Sequence, residues 1–292
     1  MVCVLAAEAR RLEGHTSMNL NPQLIVSYLI AIAIDILFPL LLALWVWRKY
    51  RVRWKFFLYG ALVFLVCQLL TRVPAIQVIQ YLLRDKLQAS PPLLIGWLAI
   101  AAVTAGLFEE VGRYLGYRFL WRKEGKSWER GVMYGVGHGG LESMLLVGGL
   151  AIMGLVNAIA LSSMDVSQLP VTGEQLAQIQ AAKAQIEALP WWLPLVGGIE
   201  RVFAMSVQVS LSVLVLQCFL QKSLKWLWIA IGYHTLVDWV APLLNHFIGT
   251  GKGMGPGVLW VEAVVAIFAL FSLFLILRLR GQPASVSAGE GG

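Results

Sequence analysis

Ionisable residues stand in apolar stretches of this chain where few are expected: Asp35, Glu109, Glu110, Arg113, Glu142, Glu200, Arg201, Asp238 and Glu262, joined by His138 and His234. Imidazole and carboxylate groups together support two kinds of chemistry. They bind zinc, or a glutamate base works with a histidine to activate water. Helical spacing sorts them into faces. Glu109 and Glu110 precede Arg113 by one turn, so a single face carries two carboxylates and a guanidinium. Tyr134, His138 and Glu142 form a second stripe, and Glu200, Ala204, Gln208 and Ser212 a third with Arg201 beside it. His234 and Asp238 share a fourth face. An ionised group at mid-bilayer costs roughly 2.5–3.5 kcal/mol on the lenient insertion scale, so leaving all of these unpaired would cost about 20 kcal/mol or more. That exceeds the stability of most proteins, and the groups are expected to face one another or a wet cavity.

The elements that must position them follow from composition. Of the 292 residues 59% are hydrophobic and only 13% charged, about half the charge content of a soluble domain. A soluble globule, a disordered chain and a coiled coil are thereby excluded. Apolar segments at 24–47, 56–73, 92–120, 131–161, 191–219, 224–246 and 257–277 predict an all-α, polytopic transmembrane helical bundle of about seven spans. Residues 1–23 read as an N-terminal tail, 24–277 as one transmembrane domain and 278–292 as a disordered tail. In the long connection 162–190, Thr172 and the Ala/Gln-rich run after it, closed by Pro190, predict a capped helix lying outside the membrane.

Basic residues orient the bundle. Arg48, Lys49, Arg51, Arg53 and Lys55 mark one connection, Arg118, Arg122, Lys123, Lys126 and Arg130 the second, Lys222 and Lys225 the third, and Arg278 and Arg280 the end of the last span. Alternate connections carry far fewer: Arg72, Arg84 and Lys86, then Lys183, then Lys252. The N-terminus is expected outside and the C-terminus in the cytoplasm, in a membrane of the bacterial cytoplasmic type. The net charge of +7 is then a topology signal and needs no nucleic acid. Counting rise per residue along alternating helices puts the glutamate pair, His138, Gln208 and His234 roughly 10–16 Å from the cytoplasmic face. A common depth argues for one polar site, expected to open more readily to the cytoplasm. Cys3, Cys67 and Cys218 are scattered and supply neither a disulfide framework nor a thiolate zinc site.

Several routes are excluded by absent motifs. There is no H-E-x-x-H, no G-x-S-x-G and no phosphate-binding loop. The four groups that remain, Glu109-Glu110-x-x-Arg113, Gly137-His138-Gly139-Gly140-x-Glu142, Glu200-Arg201 and His234-x-x-x-Asp238, resemble in order the YhfC family of intramembrane metalloproteases. That family is related to the CAAX-prenyl, bacteriocin-processing and PrsW-type membrane proteases, and distantly to the polytopic scaffold subunit of γ-secretase. The resemblance covers about residues 20–280.

The resemblance implies Glu109 as the general base, Glu110 as its assistant or a ligand, and Arg113 as the cation that holds the pair ionised. It implies His138 as a metal ligand or partner of the attacking water, with His234 and Asp238 completing a zinc site or the oxyanion side. A metal-free glutamate–histidine route is the alternative to zinc in the prenyl-protease relatives. Gln208 stands where the relatives usually present a histidine, and it is a poor zinc ligand that can still donate to an oxyanion. Glu142 is expected to support the ligands, and Glu200 with Arg201 to form a structural pair. Asp35, before Pro39, is expected to satisfy freed backbone groups, and Glu262 to sit near the outer interface. The glycines around His138 are expected to serve close helix packing, room for a substrate backbone or water, or both. The expected function is hydrolysis of a peptide bond in a membrane-embedded or lipid-linked polypeptide, with membrane lipids as the remaining partners. The rivals are a non-catalytic membrane scaffold and a proton-coupled transporter.

Overall fold

A computed structural model describes residues 20–164, 172–249 and 257–281. Most of the expected tails at 1–23 and 278–292, and part of the connection 162–190, lie outside the described residues. Seven helices are long and apolar enough to cross a membrane: α1 (Pro22–Tyr50), α2 (Lys55–Ala89), α3 (Pro91–Phe119), α4 (Trp128–Ser163), α6 (Leu193–Leu220), α7 (Lys225–Ile248) and α8 (Gly257–Arg278). Between α4 and α6 lies the shorter α5 (Gly173–Glu187). It opens on a capping box in which the Gln175 side chain accepts from the Thr172 backbone N–H at 3.1 Å. No strand occurs among the described residues.

All seven expected spans are present, but α2 is longer than its apolar run. It continues from Val73 to Ala89 through Gln77, Gln80, Arg84, Asp85, Lys86 and Gln88, a polar extension that hydropathy alone does not mark. At 1.5 Å per residue, a helix of this length reaches roughly 50 Å and outruns a hydrocarbon core of about 30 Å. Wide π-type segments interrupt two spans, Leu65–Arg72 in α2 and Glu142–Val147 in α4, and a third, Asn245–Gly249, ends α7. Such bulges turn a helix face out of register and recur at functional sites.

Helix α6 is the axis of the bundle: 72% of its apolar window is buried, against 28% or less in every other span. Helix α4 packs between it and α2, and glycine makes the approach feasible. A Cβ on Gly137 would lie 1.9 Å from the Phe57 carbonyl oxygen, and one on Gly60 would lie 2.0 Å from the Tyr134 carbonyl oxygen. Backbone touches backbone there, the geometry that small residues permit in membrane helices. Of the two roles expected for the glycines around His138, close packing is the one that Gly137 serves.

Pro39 lacks the N–H that would bond the Asp35 carbonyl one turn earlier. That carbonyl accepts instead from the Ser143 hydroxyl of α4 at 2.9 Å. The freed backbone group is thus satisfied by Ser143 rather than by the Asp35 carboxylate, whose buried Oδ1 has no hydrogen-bond partner.

At the end of the bundle that carries the basic connections, Phe56, Tyr117, Trp121 and Tyr134 form an aromatic plug. Ring centroids are 4.6 Å apart for Phe56–Trp121, 4.7 Å for Tyr117–Trp121 and 4.6 Å for Tyr117–Tyr134. None of the four is more than 1% exposed. The Tyr117 hydroxyl, which would be costly to bury unpaired, donates to the Ser212 carbonyl at 2.9 Å.

Candidate active site

Five helices converge on the Glu109 carboxylate of α3. His138 of α4 places Nε2 2.9 Å from Glu109 Oε2, and His234 of α7 places Nε2 4.0 Å from the same oxygen. Arg113, one turn along α3, donates to Glu109 Oε2 at 3.4 Å and makes a close bond to Glu110 Oε1. Gln68 of α2 donates to Glu109 Oε1 at 2.5 Å, and Gln208 of α6 donates to Oε2 at 3.5 Å. Both carboxylate oxygens therefore accept from protein donors. Glu110 Oε1 also meets His234 Nδ1 at 2.6 Å. Donation from Nδ1 would fix the ring's tautomer and leave its Nε2 facing Glu109, the orienting role that a carboxylate plays toward a working histidine. All of these side chains are buried, with Glu110, Arg113 and His138 at 0% exposure.

A charge cluster this deep persists only when its members are paired and hydrogen-bonded. Arg113 offsets one negative charge, and the amides of Gln68 and Gln208 supply further donors. Three buried polar atoms of the cluster remain without a hydrogen-bond partner: His138 Nδ1, Glu110 Oε2 and Arg113 Nε.

Glu109, Glu110, Arg113, His138, His234 and Gln208, all read from the sequence, thus meet in one cluster. The role of Gln208 differs from the one expected. Its Oε1 accepts a close bond from Arg113 and its Nε2 donates to Glu142 Oε2 at 2.6 Å. With both ends engaged, it braces the cluster rather than presenting a free donor to an oxyanion. Glu142 links this brace to Arg201, 3.3 Å away, which in turn pairs with Glu200 at 2.6 Å. Glu200 and Arg201 therefore tie α6 to α4 at the rim and do not touch Glu109.

Asp238 reaches His234 Nε2 at 3.4 Å, but its side chain is 39% exposed. Gln68 is a member of the cluster that charge and imidazole do not mark in the sequence. Its one signal is an amide within the apolar run at 56–73. Arg72, expected in a connection, instead turns inward and donates to Gln68 Oε1 at 3.1 Å and to Thr104 Oγ1 at 3.2 Å.

Imidazole and carboxylate are donors that zinc accepts, so the expected ligand set can be compared with the geometry. His138, His234 and Asp238 do not come together as ligands, and no group of three His, Cys, Asp or Glu residues is arranged to hold a metal among the described residues. The guanidinium of Arg113 and two amide N–H donors also crowd the carboxylate on which both histidines converge. A dication would meet the like charge of Arg113 there. As placed, these residues do not fit a zinc cage.

Toward the basic connections, one turn beyond Arg113 and one turn before His138, lie the buried rings of Tyr117, Tyr134, Trp121 and Phe56.

Seven apolar helices around a buried glutamate–histidine–arginine cluster define a polytopic helical membrane protein. The model of the YhfC intramembrane metalloprotease family matches residues 34–254, and the chain belongs to that family. It is 34% identical over 250 residues to an uncharacterized membrane protein YhfC of Bacillus subtilis (strain 168), an alignment covering 85% of this chain and 93% of that protein. No solved structure matches it.

Proposed function

We propose that the protein hydrolyses a peptide bond of a membrane-embedded or lipid-linked polypeptide, with Glu109 as general base acting on water beside His138. The observation that carries this reading is the convergence of His138 Nε2 and His234 Nε2 on Glu109 Oε2, at 2.9 and 4.0 Å. Water seated among these atoms gives a proton to Glu109 while its oxygen adds to the scissile carbonyl carbon. The developing oxyanion is stabilised by the imidazole N–H of His138, or by Nε2–H of His234 when that ring is doubly protonated. The proton held on Glu109 then passes to the leaving nitrogen as the C–N bond breaks, releasing a carboxylate and an amine. Glu110 orients His234, while Arg113, Gln68 and Gln208 hold Glu109 in place. General acid–base catalysis of this kind contributes about 10²–10⁴-fold.

Purified protein reconstituted with transmembrane peptides tests the reading. Glu109→Gln and His138→Ala are expected to abolish cleavage while the variants remain folded by size-exclusion chromatography. Cleavage at the wild-type rate in both variants would remove the assignment. Metal analysis of the active preparation, with and without chelator, reports separately on whether the hydrolysis needs an ion.

A further inference from the structure

Two adjoining cavities lie on the side of the cluster away from the aromatic plug. The inner one, about 280 Å³, is lined by His234, Gln208, Glu142, Asp238 and Arg201. The outer one, about 550 Å³, lies between α6, α7 and α8 and is lined by Leu193, Val196, Asn245, Val261 and Glu262 among others. Glu200, Ala241, Pro242 and Val265 border both cavities, so the two are continuous along one wall. We infer that this passage, opening at the end of the bundle opposite the basic connections, is the route by which water and substrate reach Glu109.

Exposure follows the passage. The Glu109, Glu110, His138 and His234 side chains are at most 3% exposed. Asp238 reaches 39%, and Glu200, nearer the N-terminal end of α6, reaches 37%. A carboxylate in mid-span with that much free surface is tolerated where it lines a water-filled cavity rather than lipid. On the opposite side, exposure falls to 1% or less through Phe56, Tyr117, Trp121 and Tyr134. On the α7 side the shared wall is made of a small and an imino residue, Ala241 and Pro242, and the π-type segment Asn245–Gly249 follows them at the end of α7. The mouth carries Glu200 and Glu262, whose buried Oε2 has no hydrogen-bond partner. With the basic connections in the cytoplasm, the mouth lies in the outer half of the membrane, and the polypeptide segments that arrive there are outer-leaflet or external ones.

This inference rests on the proposed reaction for its meaning but is tested without it. In protein whose native Cys3, Cys67 and Cys218 are replaced, Ala241→Cys and Val196→Cys place single thiols along the passage, and Lys123→Cys marks the basic connection. A membrane-impermeant thiol reagent is applied to right-side-out and to inverted vesicles. Ala241→Cys and Val196→Cys are expected to react from the face opposite the one that modifies Lys123→Cys, with loss of labelling from the Lys123 face. Modification from the Lys123 face would overturn the route. So would thiols that stay unreactive in folded protein from both faces yet react after denaturation. Labelling needs no peptide hydrolysis, so an inactive protein leaves the result readable, and a failed route leaves the catalytic reading standing.

Discussion

Replacing Arg113 by Met tests the electrostatic logic of the cluster most directly. The guanidinium is fully buried and donates to Glu109, Glu110 and Gln208. Methionine fills much of the same volume but leaves two buried carboxylates without their cation. Breaking a buried pair by removing one partner costs about 3–5 kcal/mol, a large part of the about 5–15 kcal/mol that a typical protein has. Arg113→Met is therefore expected to unfold at markedly lower denaturant than wild type in detergent. The cost comes from uncompensated charge rather than from lost packing, so a second change should reverse much of it. Adding Glu110→Gln removes one carboxylate charge and is expected to restore more than half of the lost stability, a non-additivity that a double-mutant cycle measures. The readout is an unfolding titration followed by tryptophan fluorescence, with both single variants and the double variant. If Arg113→Met is as stable as wild type, or if the two losses simply add, the cluster is not held by this ion pair and the reasoning fails.

Two further expectations follow from other parts of the fold. Gly137→Ala puts a methyl group 1.9 Å from the Phe57 carbonyl oxygen, and neither backbone can yield without separating α2 from α4. It is expected to lower the unfolding midpoint far more than Gly149→Ala, where a Cβ meets nothing within 4 Å, and equal midpoints for the two would refute the packing argument. In the connection between α3 and α4, the Glu124 carboxylate accepts from Lys55, which holds it below the usual glutamate range. Its stabilising contribution is therefore present above the ordinary glutamate pKa of about 4.3 and fades as pH falls from there through the lowered folded value. Glu124→Gln is expected to flatten that acid-side loss of stability in a pH series of unfolding midpoints, and an unchanged slope would count against the pairing.

The spans and the residues of the cluster were legible in the sequence because a bilayer imposes a strong pattern. About twenty apolar residues are needed to cross it, and each ionisable group inside it demands a reason. Glu109, Glu110, Arg113, His138 and His234 stood out on that ground, and the structure brings them together. Polar but uncharged partners were less conspicuous. Gln68 lies in an apolar run like any tolerated amide, and only the π-type segment Leu65–Arg72 and the packing of α2 on α3 give it its place beside Glu109.

The sequence by itself determined that the chain crosses a membrane repeatedly and carries carboxylates and imidazoles that lipid cannot accommodate, because composition and helical period are local properties. Tertiary structure alone decided which donor meets which acceptor. Gln208 became a brace because Arg113 and Glu142 engage its two ends, and Tyr117 and Tyr134 pack together because α3 and α4 bring their ring centroids to 4.6 Å. The rotation and depth of each helix against its neighbours, set here by contacts such as Gly60 on Tyr134 and Gly137 on Phe57, are absent from any single span read alone.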